Sequence, residues 1–232
     1  MKVLVTSTAD IKFEVNGLEC ESLPVLEFEE VPGDSPWAKD LPEDLGWIVF
    51  TSPRGIRFFT GLMERERGVV PFQTQIACIG EKTMEAASEA GFEVDFYPTE
   101  MGSEGFLEEF GGLVGNNATK PRIILICAEE GRDLIGKGLR EMGCIVEEKV
   151  LYRTLTRRDL ANHLSSRKLG EFGAIVFTSP SSVEAVLSVA AIPEGMTVVS
   201  LGKFTSSYLG KRGFLNHKIL PEGDIHRIRE VL

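Results

Sequence analysis

The chain reads as short, continuous apolar runs, each followed by apolar residues at helical spacing. Ile48-Val49-Phe50 is one such run, and Ile56, Phe59, Leu62 and Met63 follow it three or four positions apart. An unbroken apolar run predicts a strand covered on both faces, and the wider spacing predicts an amphipathic helix. Between them, Ser52 suits the N-cap and Pro53 the first helical position. The pattern returns at Ile175-Val176-Phe177, where Ser179 caps, Pro180 starts, and Val183, Val186, Leu187 and Ala190 form the stripe. A further strand, Gln75 to Ile79, leads through Gly80 into a helix that runs to Ala90. Gly91 then supplies the usual left-handed stop, as Gly143 does for a helix over Asp133 to Met142 and Gly213 for another. Strands alternating with helices predict a parallel sheet with helices on both faces.

These units repeat. The segment Trp47 to Pro53 recurs as Ala174 to Pro180, and Ile76 to Thr83 as Val198 to Thr205, each copy of the latter running on to a Gly-Phe pair. Lys2 to Thr6 and Arg122 to Ile126 form a looser third pair. The chain therefore carries two copies of one unit of about 110 residues, which agrees with the domain number its length suggests. Pro24 to Pro32 and Val146 to Thr156 differ in character and read as extended connectors that could pair with each other. Gly111 to Pro121 reads as a surface loop, and Asp34 to Asp44 as irregular.

Composition narrows the function. The 232 residues are 43% hydrophobic and carry a formal charge of −10, as expected of a globular domain pair rather than a disordered chain. A nucleic-acid partner needs a basic face, and an anionic membrane surface is disfavoured for the same reason. No apolar run approaches a membrane span. Cys20, Cys78, Cys127 and Cys144 form no CxxC, and His163, His217 and His226 are scattered, so no metal site is expected. Buried reduced thiols point to the cytoplasm.

Four turns share one physical property. Thr51-Ser52, Gly80 to Thr83, Thr178-Ser179 and Gly202 to Thr205 each join the C-terminal end of a strand to the start of a helix. That edge of a parallel sheet is where ligands bind, and helix N-termini accept anions. Thr51, Ser52, Gly80, Lys82, Thr83, Thr178, Ser179, Gly202, Lys203 and Thr205 are thus candidate contacts to an anionic ligand. Capping alone also explains Ser52 and Ser179, tight turns explain Gly80 and Gly202, and common descent of the units explains the repetition. Neither glycine turn is a nucleotide-binding motif. Arg54, Arg57, Lys82 and Lys203 are the nearest cations, with Arg132, Arg153, Lys211 and Arg212 more loosely placed. Tyr152, one of three tyrosines, is either core packing or a proton donor.

Val49 to Gly55, Ile79 to Thr83 with Ala90-Gly91, Gly131-Arg132-Asp133-Leu134, Leu151 to Thr154, Val176 to Pro180 and the Leu201 to Gly213 segment, in this order, resemble the uroporphyrinogen-III synthase family. The resemblance implies two similar flavodoxin-like, three-layer α/β domains with parallel sheets, joined by a two-stranded connector. Residues 1–31 and 154–232 would form one discontinuous domain and 35–150 the other, with connectors near 24–34 and 146–156. The implied activity is that of a cyclising lyase that works without a cofactor, as a monomer. It closes hydroxymethylbilane, a linear tetrapyrrole octacarboxylate, to uroporphyrinogen III in a cleft between domains, inverting ring D through a spiro intermediate. By matching motif, Tyr152 resembles the tyrosine that assists departure of the hydroxyl. Thr83 and Thr205 resemble the cleft threonines, and Ser52 and Ser179 the serines near substrate carboxylates. The chain departs from the family where Ser7-Thr8 and Cys127 stand in place of arginines, and where only a shortened first helix fits between Thr6 and Pro24. A non-enzymatic protein that binds an anionic metabolite in its cleft is the alternative.

Overall fold

The computed structural model describes residues 1–7, 11–32, 36–100, 102–115, 119–131, 134–220 and 224–232, and among these described residues there are eleven strands and eight α-helices. Thr8 and the Arg132-Asp133 pair of the sequence motif lie outside the described residues, as do parts of the two irregular passages. In chain order the strands are β1 (Lys2–Ser7), β2 (Ile11–Val15), β3 (Leu18–Pro24), β4 (Leu26–Glu30), β5 (Leu45–Phe50), β6 (Gln75–Cys78), β7 (Arg122–Ala128), β8 (Ile145–Thr156), β9 (Ala174–Phe177), β10 (Thr197–Ser200) and β11 (Lys218–Ile219). The helices are α1 (Pro53–Glu66), α2 (Glu81–Glu89), α3 (Ser103–Gly115), α4 (Leu134–Glu141), α5 (Leu160–His163), α6 (Ser166–Leu169), α7 (Pro180–Val189) and α8 (Lys203–Lys211). The chain divides into a terminal unit, Met1–Phe28 with Leu155–Leu232, and a central unit, Glu29–Thr154.

In the terminal unit the sheet order is β11-β10-β9-β1-β3-β2. All neighbours are parallel except β2, which runs antiparallel to β3 on the edge. Side chains alternate between faces, as strands require. Leu4, Ile175 and Phe177 pack with Val183 and Val186 of α7 and Leu209 of α8. Val3, Val5, Val176 and Val199 pack on the opposite side with Ile228 of a 3-10 helix, Ile225–Glu230.

The shortened first helix expected between Thr6 and Pro24 is instead the hairpin β2–β3. Val15 pairs with Leu18 across a two-residue turn, Asn16-Gly17, whose φ values are 50° and 74°. Two positive φ angles define the turn whose twist matches the flanking strands, and Asn-Gly is the pair best able to adopt it.

The central unit orders its strands β4-β8-β7-β5-β6, with β5 parallel to both β6 and β7, and β7 parallel to β8. The two connector segments are β4 and β8, neighbours in this sheet, and the Val31 N–H donates to the Leu151 carbonyl just beyond β4. Trp47, Val49, Ile123 and Leu125 pack with Phe106 and Phe110 of α3 and Leu139 of α4. Phe50 faces the other side, its ring 5.3 Å from that of Phe59 on α1.

The loop expected from Gly111 is helical as far as Gly115. Phe106, Phe110 and Val114, four residues apart, are all fully buried, and this stripe outweighs a glycine penalty of about 1 kcal/mol per residue. Lys120 Nζ donates to the carbonyls of Val114 and Gly115, satisfying the end of the helix.

Candidate active site

The strand order β8-β7-β5-β6 sets four strand ends in a row along one edge of the central sheet. A cavity of about 350 Å³ opens there, lined among others by Thr51, Ser52, Cys127, Glu148, Val150 and Tyr152. Glu148, Val150 and Tyr152 alternate along β8, which is why one face of that strand forms a wall. The register between β7 and β8 slips at this point. Cys127 pairs with Val150 but Ala128 pairs with Tyr152, leaving Leu151 as an extra residue. Such a bulge bends the strand and re-aims the side chain that follows it.

Tyr152 is only 5% exposed and held on two sides. Its Oη lies 2.7 Å from Ser52 Oγ, and that Oγ accepts the Gly55 N–H at 3.0 Å as the N-cap of α1. The Tyr152 ring stacks on Phe58, also from α1, with centroids 5.1 Å apart and planes 5° from parallel. Burial pushes the phenol above its ordinary pKa, against the opposing pull of the Ser52 hydrogen bond and the Arg54 guanidinium. Arg54 is half-buried, and its pKa falls because its charge is desolvated. The phenol is therefore protonated at neutral pH, a form that can donate a proton but cannot accept one.

The other residues singled out in the central unit are placed differently. Thr51 Oγ1 donates to the Ile126 carbonyl at 3.0 Å, tying the start of α1 to β7. Gly80 is the N-cap of α2, with Lys82 exposed and Thr83 buried in the first turn. This turn follows β6, three strands from β8 at roughly 4.8 Å per strand. Ile79 lines the cavity, but Gly80, Lys82 and Thr83 do not. Arg57 is exposed, and Arg153 pairs with Glu29 at 3.1 Å. Cys127, where the family pattern has arginine, is buried, and its Sγ faces the Lys149 carbonyl.

The terminal unit repeats both turns side by side. Strand β9 pairs with β10 up to Phe177 and Ser200, so Thr178-Ser179 and the Gly202 turn leave adjacent strand ends. The Thr178 N–H donates to Thr6 Oγ1, and Ser179 caps α7 in a reciprocal box with Ser182. Gly202 caps α8, with Lys203 exposed and Thr205 buried behind it. Ser7 Oγ is hydrogen-bonded to Ser22 Oγ at 2.8 Å, and Arg212 pairs with Glu184. Lys211 is exposed at the end of α8.

Sequence reasoning did not find Phe58, Glu148 or Val150 at this site. The two β8 residues were legible as period-two neighbours of Tyr152, whereas Phe58 had no signal beyond its place on α1. The four cysteines are buried, and none is in a disulfide. Among the described residues, no group of three or more His, Cys, Asp or Glu could hold a metal ion, and no helix is long and apolar enough to cross a membrane.

A protein 29% identical over 220 residues is the porphyrin biosynthesis protein HemD of Ruminiclostridium josui; the match takes in 88% of this chain and 43% of that one, so the chain spans less than half of that relative. The crystal structure of uroporphyrinogen-III synthetase from Helicobacter pylori superposes with a TM-score of 0.68 at 19% identity, covering 100% of this chain and 98% of the other. A mutant uroporphyrinogen III synthase from the extremely thermophilic bacterium Thermus thermophilus gives 0.62 at 17% identity, over 99% and 96%. At these identities the two structures show a common fold, a two-domain α/β architecture. The family model described as Uroporphyrinogen-III synthase HemD matches residues 8–225. With nearly all of its length matched, the chain belongs to the uroporphyrinogen-III synthase family, cyclising lyases of porphyrin biosynthesis.

Proposed function

We propose that the chain converts hydroxymethylbilane to uroporphyrinogen III, with Tyr152 as the proton donor to the departing hydroxyl. The observation that carries this reading is the buried phenol held 2.7 Å from Ser52 at the wall of the cavity. The phenol gives its proton to the ring A hydroxyl, the C–O bond breaks with its electrons on oxygen, and water leaves. The substituted α-carbon of ring D attacks the exposed methylene carbon and forms the spiro intermediate. Fragmentation and reclosure invert ring D, and the phenolate recovers a proton from the carbon that rearomatises. The linear substrate also closes unaided to the type I isomer, so the protein acts mainly by orientation.

A cavity of about 350 Å³ is at the small end for ligand sites, and it holds the reacting end of a tetrapyrrole rather than the whole. The carboxylates fall to the helix starts named above. Gly80 and Gly202 cap α2 and α8 with no side-chain hydrogen bond, which leaves first-turn N–H groups to an anion beside Lys82 and Lys203. Thr83 and Thr205 add hydroxyls at the starts of α2 and α8, and Thr178 and Ser179 at the start of α7, whereas the Thr51 hydroxyl is committed to the Ile126 carbonyl. No cofactor enters, and the chain acts as a cytoplasmic monomer, in keeping with its buried thiols.

Incubation with freshly prepared hydroxymethylbilane, followed by separation of the product isomers, tests the proposal. Type III product supports it. Type I alone, at the uncatalysed rate, overturns it, and retained binding of the tetrapyrrole would then favour a non-enzymatic carrier of anionic metabolites.

A further inference from the structure

We infer that Ser52 is a positioning residue for Tyr152, donating its hydroxyl hydrogen to the phenol oxygen rather than binding substrate. The inference rests on the reading of Tyr152 as proton donor.

The geometry limits what Ser52 can do. A serine hydroxyl has one hydrogen and two lone pairs. One lone pair is committed to the Gly55 N–H at 3.0 Å, which fixes Oγ at the start of α1. The second contact, 2.7 Å to Tyr152 Oη, can run either way. If Tyr152 donated, the phenol hydrogen needed by the leaving hydroxyl would be directed at Ser52 Oγ. If Ser52 donates, the phenol hydrogen is not engaged with Ser52, and the same bond strengthens as negative charge develops on Oη. Hydrogen bonds to an ionised oxygen are shorter and roughly twice as strong as neutral ones. The bond then favours the transition state over the ground state, the condition for raising kcat.

The internal repeat supplies a reference. Ser179 occupies the same place before α7 and accepts the Ser182 N–H at 3.2 Å, while Ser182 Oγ accepts the Ser179 N–H at 3.1 Å. Capping is thus complete in the terminal unit without a phenol. In the central unit the residue three positions on is Gly55, which carries no hydroxyl. Among the described residues, only the central serine adds a tyrosine to the cap. Helix α1 therefore grips Tyr152 twice, by a hydroxyl at its start and by the Phe58 ring six residues later.

The test compares the full chain with Ser52→Gly, Ser52→Thr, Tyr152→Phe and the Ser52→Gly/Tyr152→Phe double variant. Glycine is chosen because it retains most N-cap stability while removing the hydroxyl. Turnover of hydroxymethylbilane is read as separate kcat and KM. Ser52→Gly should lower kcat about 10-fold with KM unchanged. Ser52→Thr should restore most of the rate, and Ser52→Gly should have no further effect beside Tyr152→Phe. Ultraviolet titration of the tyrosines, which needs no turnover, should show Tyr152 ionising at higher pH in Ser52→Gly. A raised KM with kcat intact, multiplicative losses in the double variant, or an unmoved titration would overturn the inference. Full kcat in Tyr152→Phe would instead overturn the Tyr152 reading beneath it, whatever the titration shows.

Discussion

The rings of Phe58 and Tyr152 lie 5° from parallel with centroids 5.1 Å apart, so a helix residue fixes the plane of the phenol that a strand delivers. An aromatic pair contributes about 0.5–1.5 kcal/mol beyond its buried area. Phe58→Leu keeps most of the volume and loses the flat contact. It should reduce kcat about 3- to 10-fold with little change in KM. Steady-state kinetics with hydroxymethylbilane check this; a change confined to KM would place Phe58 against the substrate instead.

Alkaline stability should depend on Cys78, fully buried at the end of β6. Burial pushes its thiol up to about 12 from an ordinary value of 9.0. The fold therefore favours the neutral thiol. That contribution is complete below pH about 9 and is lost as the pH rises towards about 12, because the unfolded chain ionises first. Urea midpoints of the wild type should fall more steeply than those of Cys78→Ala between about pH 8 and about pH 10.5. Parallel slopes would show that the thiol ionises without cost to the fold.

Added salt should not weaken substrate capture. The chain carries a formal charge of −10 and the proposed substrate is itself a polyanion, so their long-range interaction is repulsive. Screening removes repulsion. The ratio kcat/KM should hold or rise between about 20 mM and about 200 mM salt. A steep fall would reveal local cations that dominate the approach.

Much of this architecture was legible in the chain. The unbroken runs at Ile48 and Ile175 are central parallel strands, and Ser52-Pro53 and Ser179-Pro180 begin helices, because strand burial and capping are local chemistry. The hairpin was missed although Asn16-Gly17, flanked by Phe13, Val15, Leu18 and Cys20, is a strong short-range signal; the family pattern had suggested a helix there. The extent of α3 was hidden by Gly111, Gly112 and Gly115, since its stability comes from Phe106, Phe110 and Val114 packed in the tertiary core. Ser52 and Tyr152 were both singled out, but their contact spans 100 residues and depends on strand order and a bulge that no local pattern encodes. The same strand order puts the Gly80 turn outside the wall of the Tyr152 cavity, although the repeat presents both turns alike.

The most direct measurement is the ratio of type III to type I product from hydroxymethylbilane, taken side by side for the wild type and Tyr152→Phe. The wild type should give type III almost alone. Tyr152→Phe should turn over about 10- to 100-fold more slowly, with type I rising as unaided closure competes. Type I as the sole product of the wild type would contradict the account.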